Sequence, residues 1–259
     1  LERARREGAR MKHPVHFFHG FLGVPSMWRE IRDLLGAPTA DAVVLPGHGP
    51  DPWYPPDPAD FTTTVDVLAA MFPFQAPAVL VGYSMGARLA LAFALRHPQL
   101  VKSAVLVGVD PGLEDAKARA DRTQWEEDWA KRAETTDVAS FATAWESQPI
   151  FASQKALPEE KQALVRKQRT SHTPNGVAWA MRRLGTGSMP PLWSDLDTTR
   201  VPTTIVSGAL DPKFTDISRA ICDRSILAKR VVVDGVGHNV ALEAPAVLAQ
   251  LVRERIEET

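Results

Sequence analysis

The sequence predicts an α/β protein with a mostly parallel central sheet, helices on both faces and an inserted helical cap. Short apolar runs alternate with helical segments in both end portions of the chain, which is the pattern of a parallel sheet covered by helices. Between residues 113 and 184 this alternation stops, and the segment is charged, aromatic and helical in pattern. At residues 78–95, a dense apolar strand passes through a sharp glycine-flanked turn directly into a helix.

Composition argues against several classes of protein. The 259 residues carry a formal net charge of −1, which argues against a nucleic-acid binder that works by general electrostatics. The single cysteine, Cys222, rules out an intrachain disulfide framework and fits a reducing compartment, so we expect a cytoplasmic protein. No stretch is long and apolar enough to span a bilayer, and we expect no membrane insertion. Residues 1–11 are charged and lack the apolar core of a secretory signal, so we interpret them as an N-terminal extension.

The core is predicted in two stretches, residues 12–112 and 190–259, with the cap between them at 113–189. We expect six strands, at residues 15–18, 42–45, 79–81, 103–107, 203–206 and 230–233. Outside the cap, helices are expected at residues 26–35, 62–72, 214–222 and 246–256, and after the glycine-flanked turn as far as His97. In such a sheet the carboxyl ends of the strands share one edge, and the cap is expected to lie over it.

Ser84 is the predicted nucleophile or base. It stands in a G-x-S-x-G motif, and the flanking strand and helix favour a nucleophile elbow over an ordinary strand-to-helix turn. The flanking glycines let the backbone pass close beside a strained serine. The hydroxyl then stands at the head of a helix, where free N–H groups favour developing negative charge.

Asp211 and His238 are the predicted partners of Ser84, since each comes just past a predicted strand. Taken singly, Asp211 could be a turn residue before Pro212, and His238 a loop histidine. Together, the chain order Ser, Asp, His is that of the α/β-hydrolase fold. In that arrangement the histidine takes the serine proton, and the aspartate orients the imidazole and stabilises its charged form.

The motif HGFLG follows the first strand and is predicted to lie against the nucleophile. In this fold type, an oxyanion hole uses one backbone N–H from such a loop and one from the residue after the nucleophile. We assign these donors to Phe21 and Met85. His19 could act as a base, but ordering of the loop by hydrogen bonds is the preferred interpretation.

Arg88 lies four residues after Ser84, which is one helical turn and therefore the same helix face. A guanidinium on a buried face is costly unless it is paired. One interpretation is a salt bridge to a structural carboxylate. The other is an anchor for a substrate carboxylate, which the planar guanidinium fork suits well.

Several longer motifs occur in a characteristic order, namely HGFLG, PGHG, GYSMGAR, WESQPIFASQ, QRTSHTPNG, MRRLGTGSMPPLW and GHNVALEAP. With them the chain resembles the family of 2-succinyl-6-hydroxy-2,4-cyclohexadiene-1-carboxylate synthases, the pyruvate-eliminating enzymes of menaquinone biosynthesis. The resemblance covers the cap as well as the core. It implies a lyase whose triad removes a ring proton from a small polycarboxylate substrate, with no cofactor and no metal.

The resemblance also implies a set of substrate-binding residues. Arginines matching Arg88, Arg122 and Arg169 bind the substrate carboxylates, although Arg119 lies one helical turn from Arg122 and is the alternative at that position. The same resemblance places Tyr83 and Trp145 in the lining of the pocket.

Two positions depart from the family pattern. Ala87 stands where glycine is usual, a small change that is expected to fit. Asp110 stands where a small neutral residue is usual, and we expect it to pair with an arginine rather than face the anion site.

The main rivals are a serine esterase or a C–C bond hydrolase of the same fold, which need an apolar acyl pocket and no set of three arginines. Ser84 at the elbow excludes enzymes of this fold that use an aspartate nucleophile. A receptor that has lost its catalytic role is a further alternative, against which an intact triad counts. The sequence leaves the oligomeric state open.

Overall fold

The fold is built on a six-stranded sheet, seen in a computed structural model that describes residues 13–36, 40–71 and 77–258. The strands are β1 (Val15–Phe18), β2 (Asp41–Val43), β3 (Ala78–Tyr83), β4 (Val101–Val107), β5 (Thr203–Gly208) and β6 (Ala228–Val233). Their order is β2-β1-β3-β4-β5-β6, and every neighbouring pair is parallel. The predicted α/β class is confirmed, with the described sheet wholly parallel.

Helices connect and cover the strands. They are α1 (Arg29–Leu34), α2 (Phe61–Met71), α3 (Met85–Arg96), α4 (Ala116–Thr135), α5 (Val138–Glu146), α6 (Glu159–Arg169), α7 (Pro174–Leu184), α8 (Trp193–Leu196), α9 (Pro212–Arg224), α10 (Val240–Glu243) and α11 (Pro245–Glu257). The helix predicted at 26–35 is a 3₁₀ turn, Pro25–Trp28, followed by α1. Residue 72, the expected end of the second helix, and the extension at 1–11 lie outside the described residues.

The central strands β3 and β4 read as continuous apolar runs because both of their faces are covered. Leu80 and Leu106 point to the face covered by α2 and α3. Val79 and Val81 point to the opposite face, where the core includes residues of α11. Because successive side chains point to opposite faces and both faces are covered, every position of these central strands favours an apolar residue.

The segment between β4 and β5 contains α4 to α8 and no strand, as the change of pattern at Leu113 predicted. Helices α4, α5 and α7 share a separate apolar cluster that includes Ala130, Phe141 and Met181. Arg182 on α7 adds ion pairs to Glu127 and Glu134 on α4. The helical cap therefore has packing of its own, and its exact limits at 113–189 stay a prediction.

None of the helices within residues 13–36, 40–71 and 77–258 combines the length and the apolar character needed to cross a bilayer.

Candidate active site

Ser84 occupies a strained elbow between β3 and α3. Its backbone has φ 52° and ψ −112°, a conformation that L-residues rarely adopt. The Ser84 N–H donates to the Val107 carbonyl at 2.8 Å, and the Ser84 carbonyl accepts from Arg88 N at 3.0 Å. A Cβ at Gly86 would lie 2.2 Å from the Phe18 carbonyl oxygen, so only glycine lets the elbow approach β1. The sequence motif is thus matched by the strained geometry of an elbow.

His238 and Asp211 are hydrogen-bonded to each other at the same edge of the sheet. The distance from His238 Nδ1 to Asp211 Oδ2 is 2.8 Å, and both side chains are buried. Since a carboxylate accepts, Nδ1 carries the proton and Nε2 is left with its lone pair. The imidazole packs between the rings of Tyr83 and Phe214, with centroid distances of 5.3 and 4.5 Å. The imidazole is therefore oriented, and it lines the same cavity as Ser84.

The cavity at this edge has two lobes that meet at Ser84. The arginine lobe, about 190 Å³, is lined by the charged residues Arg88, Asp110, Arg122, Glu126 and Lys213, together with Trp125, Met181 and His238. The apolar lobe, about 480 Å³, is lined by Met27, Leu34, Tyr83, Leu164, Val165 and Leu242, together with Arg169 and others. Phe21, Ser84, Trp145 and Phe151 line both. Tyr83 lines the apolar lobe and Trp145 lines both lobes, while their contact with a substrate stays a prediction.

Arg88 is a buried cation without a carboxylate partner. In the described part of the chain no carboxylate oxygen lies within 4.0 Å of its guanidinium, whose Nη1 donates to Met189 Sδ at 3.5 Å. Burial lowers the pKa of Arg88 to about 10, while Glu126 and Asp110 oppose that shift from a distance. The geometry therefore counts against the structural salt bridge and leaves a buried guanidinium, one helical turn from Ser84, without a carboxylate partner.

Arg122 is held in the arginine lobe by two neighbours on α4. Its Nε donates to Glu126 Oε1 at 2.7 Å, and its guanidinium lies 4.2 Å from the centroid of the Trp125 ring. Arg119 instead donates to the Leu113 carbonyl at 2.9 Å and does not line either lobe. The structure thus favours Arg122 over the alternative at this position.

Arg169 lies in the apolar lobe, apart from the other two arginines. Its Nη1 is 3.0 Å from Glu146 Oε1, its Nη2 donates to Gln154 Oε1 at 2.9 Å, and it lies 4.8 Å from the Phe151 ring centroid. The three predicted arginines are therefore not gathered in one pocket. They stand on two sides of Ser84, with Arg169 partly neutralised by Glu146.

The two expected oxyanion donors flank Ser84. Met85 is the first residue of α3, and Phe21 lines both lobes with its ring 4.9 Å from that of Trp145. Within the described part of the chain, the backbone N–H of neither residue is engaged by another protein group. Two unpaired donors beside a strained serine are what an oxyanion hole needs.

His19 orders the loop through two hydrogen bonds, in agreement with the interpretation preferred from the sequence. Its Nδ1 donates to the Gly20 carbonyl at 2.8 Å, and its Nε2 accepts from Leu45 N at 3.1 Å. Full burial lowers the pKa of His19 to about 3. With both ring nitrogens occupied, His19 has no free atom to act as the base.

Asp110 corrects one expectation. It pairs with Lys213 at 3.6 Å and accepts from Gly112 N at 3.0 Å, instead of pairing with an arginine. Lys213 stands in the first turn of α9, which brings it to the same edge of the sheet as the end of β4. Ala87 is fully buried and fits.

Two site residues were missed by the sequence reasoning. Glu126 is buried and accepts from Arg122 and from the backbone N–H groups of Thr186 and Gly187, at 2.7 and 3.0 Å. Glu126 lies four residues after Arg122 on α4, and this spacing could have indicated that the two side chains pair on one helix face. No local sequence pattern around Lys213 indicates that it belongs to the site. Among the described residues, no group of three or more His, Cys, Asp or Glu side chains is arranged to hold a metal ion.

This sheet order, elbow and Asp–His pair define an enzyme class, and comparison with known proteins agrees. The chain belongs to the α/β-hydrolase family, whose profile matches residues 17–251.

Within that family the chain is similar to proteins of one name. The 2-succinyl-6-hydroxy-2,4-cyclohexadiene-1-carboxylate synthase of Serratia proteamaculans is 30% identical over 244 residues, covering 92% of this chain and 90% of that protein. A Bacillus subtilis protein that carries the same name provisionally is 30% identical over 252 residues, 96% of this chain and 92% of its own length. The structure of MenH from S. aureus matches with a TM-score of 0.90 at 27% identity, over 96% of this chain and 95% of that chain.

Proposed function

We propose that this protein is a lyase of menaquinone biosynthesis. It eliminates pyruvate from 2-succinyl-5-enolpyruvyl-6-hydroxy-3-cyclohexene-1-carboxylate and yields 2-succinyl-6-hydroxy-2,4-cyclohexadiene-1-carboxylate. The observation that carries the proposal is Arg88, a buried guanidinium without a carboxylate partner one helical turn from Ser84. The relatives of that name support it, because they match core and cap together.

The proposed reaction begins with proton transfer through a catalytic triad. His238 Nε2 takes the proton of the Ser84 hydroxyl, while Asp211 holds the other imidazole nitrogen. The Ser84 oxygen removes the ring proton on the carbon next to the succinyl carbonyl. The electron pair passes through the neighbouring ring double bond, and the bond between the ring and the enolpyruvyl oxygen breaks. Enolpyruvate leaves as its enolate and takes up a proton on carbon to become pyruvate. The proton that His238 took from Ser84 balances this uptake, and the imidazole returns to its neutral form.

The charge that develops in this step needs electrostatic support. Removal of the ring proton places negative charge on the succinyl carbonyl oxygen, and the backbone N–H groups of Phe21 and Met85 are the proposed donors to it. A preorganised donor of this kind typically changes kcat by about 10²–10³-fold. No acyl-enzyme is required, so Ser84 serves as a base.

The arginines hold the substrate around Ser84. The substrate carries three carboxylates, and the proposed anchors are Arg88 and Arg122 in the arginine lobe and Arg169 in the apolar lobe. Since these anchors stand on two sides of Ser84, they fix the ring between them. The triad then contributes to turnover more than to binding.

The test is pyruvate release from the enolpyruvyl substrate, followed by a coupled dehydrogenase assay. We expect turnover by the wild-type protein and loss of at least about 10³-fold in Ser84→Ala. Rapid-quench mass spectrometry on the same reaction is expected to show an unmodified Ser84. No pyruvate, or a stoichiometric acyl adduct on Ser84, contradicts the proposal. The adduct favours the esterase or C–C hydrolase alternative.

A further inference from the structure

We infer that His48 is a positioning residue for catalysis: by holding the backbone of Leu22, it fixes the turn that presents the Phe21 N–H to the reacting oxygen. The inference rests on the oxyanion role that the proposed function gives to Phe21. His48 belongs to the PGHG loop after β2, which the proposed function leaves without a task.

The turn that carries Phe21 is strained at its next residue. Gly23 N donates to the Gly20 carbonyl at 2.9 Å, which closes a four-residue turn, and Leu22 at its third position has φ +56°. This is the geometry of a type II turn, where glycine is the usual residue. Among the described non-glycine residues only Leu22 and Ser84 have positive φ, and both adjoin the proposed oxyanion hole. Something must stabilise this conformation against relaxation.

His48 supplies that support through one hydrogen bond. The Leu22 N–H donates to His48 Nε2 at 3.3 Å, and His48 Nδ1 donates to the Pro46 carbonyl at 2.9 Å. A carbonyl only accepts, so the proton is on Nδ1 and the lone pair of Nε2 faces Leu22. If the peptide between Phe21 and Leu22 turned over, the Phe21 carbonyl oxygen would face that lone pair. His48 therefore selects one orientation of this peptide. The Phe21 N–H belongs to the preceding peptide, so His48 acts on it through the conformation of the turn that Gly20 and Gly23 close.

The surroundings keep His48 in the form that can accept. The ring is completely buried, between His19 and His172 at centroid distances of 4.9 and 5.3 Å and near Phe21 at 5.9 Å. Burial is the main reason that the pKa of His48 lies well below its ordinary value, and the two neighbouring histidines lower it further. Both causes favour the neutral imidazole, the form in which Nε2 accepts from the Leu22 N–H.

The cap fixes the other side of the same loop. His172, between α6 and α7, accepts from Gly49 N at 2.9 Å through its Nδ1. Gly49 directly follows His48, so the cap holds the backbone that carries the imidazole. The oxyanion turn, the PGHG loop and the cap are thus joined through His48.

Two substitutions of His48 distinguish a role in positioning the turn from a role in packing alone. His48→Phe keeps a ring but removes the acceptor, and His48→Gln places an amide oxygen near the position of Nε2. We expect His48→Phe to lower kcat by about 10–100-fold with KM changed less than about threefold, because a displaced donor acts on the transition state. His48→Gln is expected to recover most of kcat. The control is His97→Phe, which removes a histidine bonded to Asp66 away from both lobes.

The kinetics of the two His48 variants decide whether the inference holds. A folded His48→Phe enzyme with kcat within twofold of wild type overturns the inference, and so does a His48→Gln enzyme as slow as His48→Phe. If His48→Phe does not fold, the wild-type protein decides through ¹⁵N NMR of the imidazoles. We expect the proton of His48 on Nδ1, with Nε2 as an acceptor. A proton on Nε2 overturns the inference.

A second readout keeps this test apart from that of the proposed function. Phosphonylation of Ser84 by a fluorophosphonate also develops charge on an oxygen in the oxyanion hole. We expect His48→Phe to slow this labelling by a factor similar to its loss in kcat. If the wild-type protein releases no pyruvate, the proposed function is wrong. The labelling rates alone then test the positioning role of His48. Equal labelling rates in wild type and His48→Phe then overturn the inference.

Discussion

Glu126 holds Arg122 and the loop after α7 at the same time. Its carboxylate accepts from Arg122 Nε at 2.7 Å and from the backbone N–H groups of Thr186 and Gly187. One buried side chain therefore links Arg122, a proposed substrate anchor, to the segment that leads from the cap back to the core. The link is unlike the exposed ion pairs on the outer face of α4, because its acceptor is buried.

Replacing Glu126 should affect stability and binding together. Glu126→Ala leaves two buried backbone N–H groups unsatisfied, at about 1–3 kcal/mol each, so we expect the free energy of unfolding to fall by about 2–6 kcal/mol. Arg122 also loses its support, and KM should rise. Denaturant melts and steady-state kinetics measure both effects.

The matched control is Glu127→Ala, the next residue on α4, whose carboxylate pairs with Arg182 outside both lobes. A partly exposed pair of this kind is worth about 0–1 kcal/mol, and KM should not change. Equal losses of stability in the two variants would contradict the role given to Glu126.

Arg88→Ala should damage catalysis much more than folding. Removing an unpaired buried cation relieves a desolvation cost, while loss of a charged anchor costs about 2–5 kcal/mol in substrate binding. We expect kcat/KM to fall more than about tenfold with little change in the free energy of unfolding. Arg96→Ala, on the last turn of the same helix and paired with Asp66, is the control. Wild-type kinetics in Arg88→Ala would restore the structural interpretation of this residue.

Asp211→Asn should reduce kcat by about 10³–10⁴-fold and leave substrate binding nearly intact. The amide cannot hold the His238 imidazole in the correct tautomer, whereas the arginines continue to bind the carboxylates. Trp145 lines both lobes, so tryptophan fluorescence offers a direct measure of the dissociation constant. Losses in Asp211→Asn and His238→Ala that add independently in the double variant would show that the two do not act as a unit. Asp216→Asn, exposed on α9, is the control for the substitution itself.

The buried histidines predict a loss of stability in acid. His19 is neutral in the folded protein, where burial lowers its pKa to about 3, but titrates near 6.5 once unfolded. The unfolded chain then binds more protons, so this contribution is complete above about pH 6.5 and declines as pH falls towards about 3. The expected slope from one such group is about 1.4 kcal/mol per pH unit.

Urea melts between pH 7 and pH 4 measure this slope. His19→Asn, which keeps a polar side chain at the loop, is expected to be less stable at pH 7 and to depend less on pH. A wild-type stability that does not change over the same range contradicts the assignment of a neutral buried His19.

Local signals made most of the fold predictable. The strands β3 and β4 are continuous apolar runs because both faces of the sheet are covered, and such runs stand out in a sequence. Short elements such as α8 and α10 were missed, since four residues show no helical period. The 3₁₀ turn before α1 was merged with the helix for the same reason.

The site was predictable where it depends on chain order and not where it depends on packing. Asp211 and His238 follow consecutive strands of one sheet, so topology alone brings them together. The pairing of Asp110 with Lys213 joins residues about a hundred positions apart and left no local pattern. Likewise, only the packing of α6 could show that Arg169 lies across Ser84 from Arg88.

Leu22 connects the helical cap to the turn of the core that carries Phe21. Its backbone belongs to the turn that carries the proposed donor Phe21, and its side chain is part of an apolar cluster with Ala130, Phe141 and Met181 of the cap. The residue next to the proposed donor Phe21 is thus packed in an apolar cluster that is formed mainly by residues of the cap. A graft of this α/β core onto a cap from another enzyme would keep Ser84 and the hydrogen-bonded pair of Asp211 and His238, but the Leu22 side chain would lose its contacts with the cap. Exchange of the core or the cap alone therefore requires new apolar contacts for the Leu22 side chain.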